Sequence, residues 1–586
     1  MGKGEYTIKN FYSGGYSSFS PSYGSSFTGY RTSAQHLGMA TDARTANVLK
    51  EVSENLSAGA KTVELNQVFP EVFESIPKDQ LKEVNRLAKL TGVDVTLHAP
   101  LVEPSGMTKD GFTEAGRESA ERQMNLAIER GHEINPKGNV NITFHSSVLL
   151  PGQIKPKGRE VPETFVINSE SGSVQKLPLK ERKFPGEAQQ PNIKEEVTKI
   201  NEEVWKQQLT HLAYNIERAS ELIRSSGYLA LTAEAEEKAG EKLYPQEKQA
   251  KNAFNVGTAF LQDSYRELKA LYDLAYKNAT EEEKNMLLDL GNKIKERVEV
   301  IKKEPDSRKS IMLRQEIVED GLATLTKISI PEIYKSLNDF AKEKTTETFA
   351  NAALNSYKKF KESTPIISIE NPPAGGAFST AEELKEIIEK SREKFVKKAV
   401  ESGISESTAK EQAEKIIGAT WDVGHINMLR KYGYEGKDIV KESEKIAPFL
   451  KHVHLSDNFG LEHTELPMGM GNVPIKEIME KFDEEGFKGK KIIEAMHWWQ
   501  HFSPGGKTNP PLQVTLEAFG SPIYSSESGP YWNQSPGLIQ NYYSGYGQFL
   551  PDVNYQTFGA GFSQLPAELG GQRPGQGSRM SGRGME

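Results

Sequence analysis

Residues Phe449–Gly471 read FLKHVHLSDNFGLEHTELPMGMG. Three of the chain's 11 histidines, His452, His454 and His463, fall inside this stretch, with Asp457 and Glu465 among them. The alternation in LKHVHL predicts a strand, and on a strand His452 and His454 share one face, His452 one layer deeper. Neither a buried strand nor a solvated loop has need of so many imidazoles. Their purpose depends on what the other strands bring to the same place.

Outward from this stretch, short apolar runs alternate with amphipathic ones. QHLGMA, KTVELN, VDVTLHAP and NVNITFHSS read as strands, separated by helical stretches such as PKDQLKEVNRLAKLTG and TEAGRESAERQMNLAIERGHEI. The alternation resumes with PIISIENPP, IIGATWDVGH, LKHVHLSD and KKIIEAMHWW. A capping box at Ser379 to Glu382 opens the helix after the first of these. The eight strands, near His36, Val63, Val95, Ile142, Ile367, Thr420, Val453 and Ile493, predict an α/β fold, a closed (β/α)8 barrel of the TIM type.

The strand ends carry the chemistry. His98 ends the third strand, His145 the fourth and Glu370 the fifth; Asp422 and His425 end the sixth, His454 the seventh and Glu494 the eighth. His463 and Glu465 lie in the loop after the seventh. In such a barrel these ends face one rim, so residues about four hundred positions apart converge on one pocket. A single strand-end histidine is ordinarily a hydrogen-bonded rim residue. Six consecutive strands with the same habit predict a metal site, because buried carboxylates and imidazoles must be paired or metal-bound. Imidazole and carboxylate ligands suit zinc or manganese. His452, Asp457 and His497 read as residues behind the ligands, Asp457 as one that orients a ligand histidine. The GMGN turn at 469–472 leads toward a helix N-terminus on the rim.

The remaining sequence divides by composition. Residues 1–32 and 503–586 interleave tyrosine and phenylalanine with small polar residues, a composition that predicts disordered tails, with self-association through the tyrosines as the functional alternative. Residues 33–150 make the first half of the barrel and 362–502 the second. Between them, 151–190 predicts a β-hairpin insertion around a Ser-Gly turn, 191–227 an outer helix of the barrel, and 228–361 a helical insertion. The chain of 586 residues contains no cysteine, which excludes disulfides, thiolate metal sites and cysteine nucleophiles. Its net charge of −8 argues against a surface generally coated with nucleic acid. No apolar run is long enough to span a bilayer, MGKGEYTIKN lacks the apolar core of a secretion signal, and Tyr6 stands where a myristoylation motif needs Ser or Thr, so a cytoplasmic protein is expected.

The ordered set HAP, FH, IEN, WDVGH, HLSD, GMGN and IIE resembles the xylose-isomerase-like barrel superfamily, and within it endonuclease IV, the zinc-dependent apurinic/apyrimidinic endonuclease family 2. The resemblance covers about residues 33–147 and 364–499. It implies up to three Zn2+ ions. His98 and His145 would hold one, Glu370 would bridge to a second held with Asp422, His454 and Glu494, and His425 would hold a third with His463 and Glu465. The family carries Asp-x-His where this chain has His463-x-Glu465. HAPLVEP lacks the tyrosine, and ELNQVFPEV the arginine, with which the family grips DNA, and ENPP replaces its ENT. The resemblance implies a metal-dependent phosphodiesterase acting on abasic or damaged DNA, with Glu370 or Glu494 as the catalytic base. The superfamily's other branch implies a sugar or sugar-phosphate isomerase or epimerase with a single Mn2+ or Mg2+ held by Glu370, Asp422, His454 and Glu494. A third reading is a non-catalytic scaffold barrel, which requires a broken metal set.

Overall fold

The computed structural model describes residues 36–57, 59–157, 163–179, 193–240, 242–304, 307–469 and 471–495, and besides these Tyr30, Thr32, Leu512 and Thr515. The expectations for His497 and for nearly all of both tails lie outside the described residues.

Eight parallel strands close on themselves: β1 (Leu37–Ala40), β2 (Thr62–Asn66), β3 (Asp94–His98), β4 (Asn141–His145), β5 (Ile366–Glu370), β6 (Ile417–Asp422), β7 (Leu450–Leu455) and β8 (Lys490–Ile493). Each pairs with its neighbour in chain order, and β8 returns to β1 through Leu37↔Lys491 and Met39↔Ile493. The strands form because alternate side chains serve two environments. On β5, Ile367 and Ile369 are fully buried between the apolar flanks of neighbouring elements, while Ser368 and Glu370 lie on the other face. That other face is polar. Ser368 Oγ donates to Asn141 Oδ1, and the Thr143 and Thr420 hydroxyls meet at 2.9 Å. Side chains fill the barrel, and the polar ones hydrogen-bond across it.

The helix Ala381–Glu401 shows why the outer layer forms. Thr380 caps it, accepting from Glu383 N, and Glu383 reaches back to Thr380. Leu384, Ile387, Ile388, Ser391, Phe395 and Ala399 recur at helical spacing and are buried, each large apolar one contributing roughly 1.5–3 kcal/mol. The capping box therefore sits one residue later than the expected Ser379–Glu382 pair. The Ser379 hydroxyl is buried and makes no hydrogen bond, so it does not cap the first turn.

Residues 162–337 form a second compact unit. The expected hairpin is there, with Glu163–Asn168 antiparallel to Val174–Pro178, and Tyr334–Ser336 adds a third strand to it. Helices Ile193–Lys238, Pro245–Asn278, Glu281–Lys303 and Ser307–Leu325 enclose a core of Leu212, Leu261, Leu268, Leu287, Ile317 and Leu325. This corrects the division expected at 191–227 and 228–361. The segment 191–227 runs on into one helix to Lys238 and buries Trp205, Leu212 and Ile216 in this unit's own core, so it is not an outer helix of the barrel. From residue 338 the chain belongs to the barrel unit. Helix Leu337–Phe360 then leads into β5, with Phe349 fully buried against Phe144 of β4.

Candidate metal centre

The strand ends meet. His98, His145, Glu370 and Asp422 are the last residues of β3, β4, β5 and β6, His454 is the fifth of six on β7, and Glu494 follows β8 directly. Glu370 lies at the middle and is fully buried. Its Oε2 lies 3.1 Å from His98 Nε2 and 3.2 Å from His145 Nε2, and its Oε1 lies 2.8 Å from His454 Nδ1. Glu494 Oε2 comes within 2.8 Å of the same nitrogen. Ligand atoms of Glu370, Asp422, His454 and Glu494 all lie within 4.8 Å of one another, as do those of His98, Glu370 and His454.

The turn after β6 places His425. Asn371 Oδ1 accepts from Asp422 N, Asn371 Nδ2 donates to Asp422 O, and Asp422 Oδ1 accepts from His425 N. Gly424 is required here, since a Cβ would lie 2.1 Å from Ser456 Oγ. His425 Nδ1 donates to Asn371 O at 2.7 Å, so its Nε2 presents a lone pair, 2.8 Å from His463 Nε2. Glu465 Oε1 lies 3.4 Å from His463 Nε2, and Glu465 takes a left-handed φ of 45°, a strained backbone for a residue with a Cβ. This third group joins the second through contacts of 3.9 Å from His425 to Glu370 and to Asp422. All nine residues expected as ligands thus line one continuous cluster, looser at His463 and Glu465.

The electrostatics are those of a site that lacks positive charge. Burial pushes the Asp422 carboxyl well above its ordinary range, and the nearby Glu494 and Glu370 carboxylates push it further. Burial acts on Glu370 in the same sense, but the His454 and His145 imidazoles outweigh it and hold Glu370 well below the usual range. Burial draws His98 down, yet Glu370 wins and raises it to about 9. Burial and then His463 push His425 down to about 3, which keeps its Nε2 unprotonated. Glu494 Oε2 is buried without a hydrogen-bond partner despite its closeness to His454 Nδ1, a nitrogen that is also 2.8 Å from Glu370 Oε1. Three buried carboxylates around one point, one with an orphaned oxygen, fit a divalent cation.

Of the residues expected behind the ligands, His452 pairs with Glu64, its Nε2 2.9 Å from Glu64 Oε2. Asp457 does something other than orient a histidine. Its carboxylate accepts from the backbone N–H groups of Asn458, Gly469 and Val473, and its own backbone bridges to Leu466. β7 has ended at Leu455, so Asp457 lies under the loop and ties down the glycine turn. Gly471 fits because a Cβ would come within 2.3 Å of both Asn458 O and Asp457 Oδ1. Glu64, Asn371 and Ser456, whose Oγ donates to Asp422, are the contributors that the sequence reading passed over.

Residues 331–511 match a protein-family model described as the xylose isomerase-like TIM barrel. An uncharacterized protein of Methanocaldococcus jannaschii is 34% identical over 80 residues, 14% of this chain and 26% of that protein, so the match spans about a quarter of the relative's length. Among solved structures, a D-tagatose 3-epimerase-like protein is 12% identical with a TM-score of 0.36, covering 79% of this chain and 91% of that one. A 3-keto-D-glucoside 4-epimerase from E. coli is 11% identical with a TM-score of 0.35, covering 82% and 97%. A D-psicose 3-epimerase from Clostridium cellulolyticum H10 is 9% identical with a TM-score of 0.37, covering 84% and 98%. The segment that matches this model supplies strands β5 to β8 of the barrel and holds Glu370, Asp422, His425, His454, His463, Glu465 and Glu494.

Proposed function

We propose that the barrel is a metal-dependent hydrolase of phosphodiester bonds with a multinuclear, zinc-type centre. The observation that carries this is the stance of Glu370. One oxygen faces His454 and the other faces His98 and His145, the posture of a carboxylate shared between two cations. His425 and His463 add a further pair of facing nitrogens beyond it. A single-cation site has no use for these four extra imidazoles.

Divalent ions bound here would supply Lewis acidity at the phosphoryl oxygens and a water ionised near neutral pH. The chain's residues do the rest. Asn371 holds His425 in the tautomer whose Nε2 is free. Ser456 and the His425 amide fix Asp422. Glu494, with its orphaned Oε2, is placed to take the proton of an attacking water and return it to the leaving oxygen. DNA carrying an abasic site is the first substrate to try; a small phosphodiester is the second.

One observation favours another reading. Glu370, Asp422, His454 and Glu494 by themselves make a compact four-ligand group. With one Mn2+ or Mg2+ they would suit a sugar or sugar-phosphate epimerase, two of the carboxylates moving a proton at a sugar carbon. The purified chain is tested on an abasic duplex, on bis-(p-nitrophenyl) phosphate, and on ketohexoses and their phosphates. Cleavage of either ester that His145→Ala abolishes supports the hydrolase. Epimerisation that survives His145→Ala, with no cleavage, replaces it.

A further inference from the structure

Beneath the ligands lies a second buried group. Glu64, on β2, is 1% exposed. Its Oε2 accepts from Thr96 Oγ1 at 2.9 Å and lies 2.9 Å from His452 Nε2. Its Oε1 lies 2.9 Å from His454 Nε2, close enough for charge to act, though bent away from hydrogen-bond alignment. His454 is thus spanned, with Nδ1 facing Glu370 and Glu494 and Nε2 facing Glu64.

A neutral imidazole has one N–H. Two carboxylates stand at Nδ1, and a proton drawn there would leave no lone pair for a cation. A carboxylate at the opposite nitrogen draws the proton the other way. We propose that Glu64 is a positioning residue for the metal centre: it holds the His454 proton on Nε2, so that Nδ1 is the ligating nitrogen. Thr96 and His452 fix the carboxylate from the side away from His454. Carboxylates behind ligating histidines act in this way, and losing one weakens metal binding about 10–100-fold. The proposal rests on the reading of Glu370, Asp422, His454 and Glu494 as ligands.

The experiment strips the full chain with chelator and titrates Co2+ into wild type and Glu64→Gln, reading the visible d–d bands and the affinity by competition with a chromophoric chelator. We expect one Co2+ per chain to bind Glu64→Gln about 10–100-fold more weakly, with its bands shifted. A folded variant that binds Co2+ like wild type, with unshifted bands, overturns the role of Glu64 and leaves the ligand assignment standing. Wild type that binds no Co2+ overturns both. Should Glu64→Gln fail to fold, nitrogen NMR of Zn2+-loaded, 15N-histidine-labelled wild type decides. The proposal requires His454 with Nδ1 metal-bound and Nε2 protonated, and the reverse pattern overturns it.

Discussion

Replacing Glu370 by Gln removes one charge and keeps the shape. In the metal-free chain that charge faces His98, His145 and His454 at 2.8–3.2 Å, all within the buried centre. Against the cost of burial, Glu370's hydrogen bond and charge lead in raising His98 from 6.5 to about 9. At 1.36 kcal/mol per pKa unit this corresponds to roughly 3 kcal/mol, in line with the about 3–5 kcal/mol lost when one partner of a buried pair is removed. The sign follows from the direction. The His98 value is raised on folding, so its stabilising contribution is complete below about 6.5 and disappears as pH rises through about 9. Chelator-treated Glu370→Gln should therefore unfold in urea with a stability lower by about 3 kcal/mol at pH 6. The deficit should shrink between pH 6 and about pH 10, as His98 loses its charge. Circular dichroism follows the transition. A deficit of the same size at both pH values, or no deficit at pH 6, would refute the reasoning.

Other changes test other parts of the architecture. Asp457→Asn turns an amide N–H toward the N–H groups of Gly469 or Val473 and should cost about 1–3 kcal/mol. Burial raises Asp457 to about 6, so wild type loses this residue's contribution as pH climbs from 3.8 through 6; urea unfolding should show the gap to the variant narrowing over that window. Gly424→Ala drives a methyl into Ser456 and should displace His425, read as loss of the most weakly held metal ion with the fold intact by circular dichroism. Phe349→Ala empties a fully buried site beside Phe144 and should cost about 3–5 kcal/mol in urea unfolding, without changing metal content.

The barrel was legible because the apolar runs are short and regularly spaced, and six of the eight carry His, Asp or Glu at or next to the end of the strand. Six of the nine ligand candidates were legible for the same reason: position at the end of a parallel strand fixes which rim a side chain reaches, while His425, His463 and Glu465 lie in the turns beyond. Glu64 was not. KTVELN shows one acidic residue in mid-strand, and nothing local says that its partners are Thr96, His452 and His454 of other strands. Asp457 was misread because its distance from His454 along the chain is short, whereas the strand ends between them and turns its carboxylate to the loop backbone. The segment 191–227 carries an apolar stripe that fits a barrel or another helix equally well, and which of the two it meets is a tertiary fact. The one-residue shift of the cap at Thr380 has the same origin, since Ser and Thr are both competent caps and burial of Ser379 decides between them.

The number of metal ions per chain tests the shared centre most directly. Mass spectrometric metal analysis of the purified full chain, beside Glu370→Ala, should give two to three ions per wild-type chain and a drop of at least two in the variant, since Glu370 belongs to both groups. A single ion in wild type, or loss of only one when Glu370 is removed, would contradict a carboxylate shared between cations.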